Sequence, residues 1–250
     1  MPAEKRYVFV DYETYWDQQY TLSKMTTQEY VLDPRFEILG AAVALDDNTP
    51  RWVSGQPSVL LYLATLGLDQ PGTVTVYHNA KFDAAVTEWV LGITHWRTYC
   101  TMMGARPYMV PYVKGRRMGL ANLATHFNLP PKGGAIHKTR GKRLAGFSAA
   151  EKQELGEYAC HDLELTQALW SKQWDTLPES ERELIHLTVR KFVRPSLRLN
   201  SQVLQAHLCA VRKAKAQIGK STRLNSSHAN ISDAGFCLKK KGGGGGGGGG

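Results

Sequence analysis

Tyr7-Val8-Phe9-Val10-Asp11-Tyr12-Glu13-Thr14-Tyr15-Trp16 is the stretch that decides the fold. An apolar run, residues 7–10, passes straight into two acids. A strand alternates its faces with a period of two, so Asp11 and Glu13 point the same way. Two carboxylates held side by side repel, and desolvating each of them is costly. A pair at the end of a buried strand therefore calls for a cation, a proton or solvent. The rest of the chain has to say which.

Outward from this strand, placed at residues 7–11, the pattern alternates. Residues 20–33 read as a connector with helical patches. Residues 36–45 read as a long strand, closed by the turn Asp46-Asp47-Asn48-Thr49-Pro50, and 51–53 as its short partner. A helix at 58–66 precedes a strand at 74–77. Residues 78–91 then carry Phe82, Val86, Trp89 and Val90 at helical spacing. A further short strand falls at 97–100 and a helix at 120–127. Ser148, with Glu151 three residues later, is a capping-box signature, and the helix it opens runs to about residue 174. Another spans 178–193 and stops before Pro195. Strands first, then strands alternating with helices, predict an α/β fold with a sheet of mixed direction.

Three other places carry chemistry. Asp83 lies in the first turn after the strand at 74–77, where an acid is also an ordinary helix-dipole preference. Tyr158 and Asp162, four apart, share a helix face with Leu155, Leu165 and Leu169. That face looks toward the core, although Asp162 at the edge of an amphipathic stripe, with Tyr158 as packing, is the ordinary alternative. Residues 114–143 hold Lys114, Arg116, Arg117, Lys132, Lys138, Arg140, Lys142 and Arg143, with His126 and His137. They read either as a solvated loop or as a phosphate-contact surface. Taken together, four carboxylates converging on one cleft can bind two hard divalent cations. Two such ions can clamp the attacking and leaving oxygens of a phosphoryl displacement. Tyr158 is suited to orienting the attacking water, since a phenol is a poor base at neutral pH.

These motifs resemble those of the 3′–5′ exonucleases of the ribonuclease H-like superfamily, the group with four acids and a tyrosine. Asp11-Tyr12-Glu13 looks like the first motif. Asn79-Ala80-Lys81-Phe82-Asp83 looks like the second, and Tyr158-Ala159-Cys160-His161-Asp162 like the third. A sister group with His five residues before the last Asp is not matched, because Glu157 stands there. His161 is read as a helix-surface residue and His78 as a strand-end support. Over about residues 6–200 the chain looks like the proofreading domain of phage and bacterial family A DNA polymerases. The resemblance implies a five-stranded mixed β-sheet flanked by α-helices. It implies two divalent cations, Mg²⁺ or Mn²⁺, held by Asp11, Glu13, Asp83 and Asp162, with Tyr158 orienting water. Thr14, Asn79 and Phe82 would place the terminal nucleotide. The partners implied are single-stranded DNA or frayed 3′ ends, with a polymerase domain in the intact protein. The alternatives are a ribonuclease D-like RNA exonuclease and a non-catalytic nucleic-acid-binding module.

Composition bounds the rest. Residues 221–241 resemble a translated sequencing adapter running into a polyglycine artefact, so 220–250 is expected to be disordered and is set aside. Residues 1–178 are expected to form the exonuclease domain, and 179–219 a helical segment leading toward a missing polymerase domain. Without the tail the net charge falls from +9 to about +5, which permits a polyanionic partner. No apolar run reaches membrane-span length, and no leader is expected ahead of the first strand. Cys100, Cys160, Cys209 and Cys237 form neither a CxxC nor a Cys/His quartet, which excludes a zinc or disulfide framework and fits a cytoplasmic setting. Gly219-Lys220-Ser221-Thr222 imitates the end of a P-loop, but Ala214 stands where the first glycine is required.

Overall fold

The opening strand runs further than its apolar residues. In the computed structural model, which describes residues 5–109, 118–133 and 139–224 (the side chains of 109 and 219–224 aside), β1 spans Arg6–Thr14. Asp11 and Glu13 therefore lie inside the strand rather than at its end. The reason is its partner. β2, Ile38–Leu45, pairs antiparallel with β1, setting Asp11 opposite Ala42 and Glu13 opposite Gly40, until a bulge falls between Glu13 and Thr14. On the other edge β4, Thr73–Tyr77, pairs parallel with Arg6–Phe9 and then leaves. Beyond Phe9 that edge is open, so the two acids sit where the sheet parts.

β3, Arg51–Ser54, extends the sheet antiparallel to β2, and β5, Arg97–Cys100, extends it parallel to β4. The order is β3-β2-β1-β4-β5, a five-stranded mixed sheet. Among the helices, α1 is Thr27–Val31, α2 is Gln56–Thr65, α3 is Ala80–Ala85, α4 is Thr101–Gly104, α5 is Arg106–Met109 and α6 is Leu120–His126. The single helix expected over 78–91 is α3 followed by a π-helical turn, Val86–Val90. Thr87 accounts for the interruption. Its hydroxyl donates back to the Asp83 carbonyl and lies within hydrogen-bond distance of the Tyr12 and Tyr77 hydroxyls, a side-chain competitor of the kind that distorts helices.

The long helix α7, Ala149–Gln173, has the expected Ser148–Glu151 capping box. It covers one face of the sheet in step with β1. Tyr7, Phe9, Asp11 and Glu13 share a strand face, and each pair of residues advances about 6.6 Å. Tyr158, Asp162, Thr166, Trp170 and Trp174 follow one helical stripe, advancing about 6 Å per four residues. At the apolar end Trp170 lies 4.5 Å from Tyr7 and 5.3 Å from Phe9, with Trp174 5.2 Å from Tyr7. Continued along both elements, this register carries Asp162 to Asp11 and Glu13. Close approach also needs two glycines. A Cβ on Gly40 would come within 2.3 Å of the Trp52 ring, and one on Gly156 within 2.7 Å. The indole of β3 is thus seated between β2 and α7.

α8, Glu179–Val193, ends the first compact unit, Met1–Ser196. The second unit begins at Leu197 and contains α9, Ser201–Leu224. α9 carries exposed Leu204, Leu208 and Val211 at helical spacing, and it is helical through 219–222, where a P-loop would need a turn. Among the described residues, no helix is long and apolar enough to cross a membrane. Lys114, Arg116, Arg117, His137, Lys138 and the tail after residue 224 lie outside the described residues.

The Trp52 seat gives a stability test. Gly156→Val should lower the urea unfolding midpoint by an amount worth about 1–3 kcal/mol, since the added side chain overlaps the Trp52 indole, which lies against Gly40 of β2 as well. An unchanged midpoint would mean that α7 does not approach β3 this closely.

Candidate active site

Asp11, Glu13 and Asp162 each offer a carboxylate oxygen, and these oxygens lie within 4.8 Å of one another. Glu13 and Asp162 are buried, and Asp11 is half-buried. With Tyr158 they line a cavity of about 400 Å³. Among the described residues, Asp162 Oδ1 and the Tyr158 hydroxyl are buried and have no hydrogen-bond partner. The other Asp162 oxygen accepts from the Lys132 ammonium. Burial and charge crowding both raise the pKa values here. Burial, then Asp162, pushes the Asp11 carboxyl up to about 7 against the pull of Lys132. Burial and then Asp11 push Glu13 well above the carboxylate range. Burial, then Asp162, raises the Tyr158 phenol, which stays protonated.

The structure does not bring Asp83 into this trio. Its carboxylate is buried beside the cluster but outside the 4.8 Å set. Asp83 comes from α3, behind the strand edge that β4 leaves open. There burial, and then Asp11, raise its pKa well above the carboxylate range, against the hydrogen bonds of the backbone amides of Tyr12 and of Asp83 itself. Asn79 caps α3 in the left-handed conformation, at φ 59°. Phe82 lines the cavity with Thr14. Thr14 is committed in part. The Tyr30 hydroxyl donates to the Tyr15 carbonyl, so the Thr14 hydroxyl, 3.0 Å away, is the donor to Tyr30.

Sequence reasoning missed Trp16, Thr21, Leu22 and Tyr30 as walls of the cavity. Their signal is the aromatic density of residues 15–36. Tyr20 and Tyr30 stack at 4.3 Å, and Tyr30 meets Phe82 at 5.9 Å. In the described part of the basic stretch Arg140 is exposed, and three other cations meet acids. Lys142 pairs with Glu151, Arg143 with Glu37 and Lys132 with Asp162. His161, expected on the helix surface, is half-buried, and its Nε2–H donates to the Pro131 carbonyl at 2.9 Å. His78 does support the strand end, with Nδ1 2.9 Å from the Thr101 hydroxyl. Burial, then Lys132, lowers its pKa to about 4.

An oxygen-only donor set, net negative and with an unpartnered buried carboxylate oxygen, fits a hard divalent cation. No protein-family model matches the chain, and no curated protein matches it. Solved structures do. A nuclease in its apo form is 20% identical, with a TM-score of 0.51 over 77% of this chain and 82% of that one. The catalytic core of RRP6 from Trypanosoma brucei is 14% identical, with a TM-score of 0.53 over 80% of this chain and 50% of that one. Escherichia coli RNase D, an exoribonuclease involved in structured RNA processing, is 14% identical, with a TM-score of 0.51 over 75% and 45%. At such identities the likeness establishes the fold, which is ribonuclease H-like. The chain spans about half the length of the RRP6 and RNase D chains.

The raised carboxyls predict a pH dependence. Asp11 in the folded state titrates near 7, above its unfolded value of about 3.9. Between these values the native state holds more protons than the unfolded state, so stability falls as pH rises. Glu13 and Asp83 act in the same direction. His78, His95 and His186, with lowered values, act oppositely only below about pH 6.5. In EDTA, therefore, unfolding free energy should fall from pH 6.5 to 8.5 by roughly 1–3 kcal/mol, and Mg²⁺ should largely restore it. Urea unfolding at the two pH values checks this. A metal-free protein equally stable at both would contradict the crowding of these acids.

Proposed function

We propose that this protein is a metal-dependent 3′–5′ exonuclease that releases nucleoside 5′-monophosphates. The observation that carries the reading is the Asp11–Glu13–Asp162 cluster facing a cavity beside Tyr158, on a fold that nucleases share. Asp11, Glu13 and Asp162, with Asp83 adjoining, would hold two divalent cations, Mg²⁺ or Mn²⁺. Bound there, such ions supply the positive charge that activates water and stabilises a leaving oxygen. The protein's own side chains do the rest. Tyr158, kept as a phenol, donates to or accepts from the attacking water without removing its proton. Phe82, Tyr30 and Trp16 give the cavity aromatic walls on which a terminal base can stack. The recessed acids favour a single-stranded or frayed 3′ end, because a base paired within a duplex cannot enter.

The nature of the sugar separates two readings. RNase D shares the fold and acts on RNA, which favours a ribonuclease D-like activity. The stretches around Asp11 and Asp83 and the strand at 36–45 support the DNA-proofreading reading, with a polymerase domain as partner in the intact protein. Matched 5′-labelled RNA and DNA oligonucleotides decide between them, since a protein senses the 2′-hydroxyl at the sugar. We expect single-nucleotide 3′ trimming that requires Mg²⁺ or Mn²⁺, faster on RNA. Asp11→Ala should lower kcat by more than about 10³-fold while sparing oligonucleotide binding. Tyr158→Phe should lower it by about 10²-fold. An Asp11→Ala protein that digests either oligonucleotide at the wild-type rate would overturn the site.

A further inference from the structure

Among the described residues, Lys132 is the one positive side chain that lines the acidic cavity. It is not there by chance of a wandering chain. The Pro131 carbonyl is fixed by His161 Nε2–H, one residue from Asp162 on α7. The Lys132 ammonium lies 4.9 Å from the centre of the Tyr158 ring. A Cβ on the following Gly133 would stand 3.3 Å from Tyr158 Cδ2, so the backbone itself rests against that ring. Three residues of one α7 face, Tyr158, His161 and Asp162, thus seat the lysine. Yet the pairing is incomplete. Lys132 reaches one Asp162 oxygen and leaves the other unpartnered. One positive charge stands against the three carboxylates of the cluster. A counter-ion that satisfies neither the charge nor the lone pairs of a site can be displaced by one that satisfies both.

We propose that Lys132 is a built-in competitor for the metal site: it holds Asp162 in the metal-free protein, and divalent cations load the cluster by displacing it. The inference rests on the functional reading above and deepens it. Lys132 is then a positioning residue that keeps the empty cluster folded and sets the cation concentration needed to fill it. A lysine with a purely structural role would support Asp162 in both states, and its removal would weaken metal binding. A competitor predicts the opposite.

The test is Mn²⁺ binding by isothermal titration calorimetry, without substrate, on wild-type protein, Lys132→Met, Lys132→Arg and Asp162→Asn. Lys132→Met should bind Mn²⁺ roughly tenfold more tightly or better, the worth of one charged hydrogen bond removed from the competition. Lys132→Arg, which keeps the charge, should stay within a few-fold of wild type. In EDTA, Lys132→Met should melt below wild type, and at saturating Mn²⁺ the two should coincide. Unchanged or weaker binding by Lys132→Met, in the face of wild-type binding that Asp162→Asn abolishes, overturns the competition and leaves the metal site standing. Wild-type protein that binds no Mn²⁺ overturns both. If Lys132→Met proves too unstable in the metal-free state to titrate with Mn²⁺, Lys132→Gln is titrated in its place against the same criteria.

Discussion

The match in stride between β1 and α7 is the constraint from which the site follows. A strand face repeats every two residues and a helix stripe about every four, and the two repeats cover nearly the same distance. Tyr7 and Phe9 meeting Trp170 and Trp174 therefore fix what happens further along. Once the aromatic end is packed, Asp162 has no choice but to face Asp11 and Glu13. The apolar contacts provide the free energy, and the carboxylates are carried along against their own repulsion. Burial first, and then the neighbouring carboxylates, raise the pKa of Glu13 and of Asp11. Folding drives the acids together, and a cation completes what folding leaves unbalanced.

The sheet topology explains why the cluster opens to one side. β4 accompanies β1 only as far as Phe9, and α3 begins at Ala80, just past the strand. The carboxyl ends of the parallel strands β1, β4 and β5 thus border a crevice, the usual place for a ligand in an open α/β sheet. Asp83 enters this crevice from the layer opposite α7. Its separation from the other three acids is a consequence of that approach: the free amide edge of β1 draws its carboxylate before the cluster does. Thr87 ties the Asp83 backbone to Tyr12, the residue between the two β1 acids, so the two layers are joined through a buried hydroxyl.

Much of this was legible in the sequence because it rests on local periodicity. The alternation of β1, the Ser148–Glu151 cap and the four-residue spacing of Tyr158 and Asp162 are statements about neighbours along the chain. They placed the strands and α7 within a few residues. What escaped depends on distance. β1 runs on to Thr14 because β2 offers Gly40 and Ala42 as partners, which the polar composition of residues 11–14 conceals. The π-helical turn after α3 needs the hydroxyls of Tyr12 and Tyr77 to meet at Thr87, from strands that no local pattern connects. Leu22 and Tyr30 fall in a stretch that reads as a connector, and Trp16 just beyond the first strand, because a wall built from a bend and one short helix has no long period.

The basic stretch shows what a count of charge along the chain leaves out, namely the acids that folding brings opposite it. Counted along the chain, Lys132, Lys142 and Arg143 form a positive run, which points outward to phosphate. In space each meets a carboxylate from another element: Asp162, Glu151 and Glu37. Lys142 and Arg143 sit where solvent screens their pairs, and such exposed pairs contribute little. Lys132 differs because its partner is buried. An ion pair whose acid is withdrawn from water is strong only while its geometry is satisfied, and here half of the carboxylate is not. The same lysine, moved one turn away along the surface, would be one more solvated charge. Seated on Tyr158 and anchored through Pro131, it becomes part of the electrostatics of the cluster.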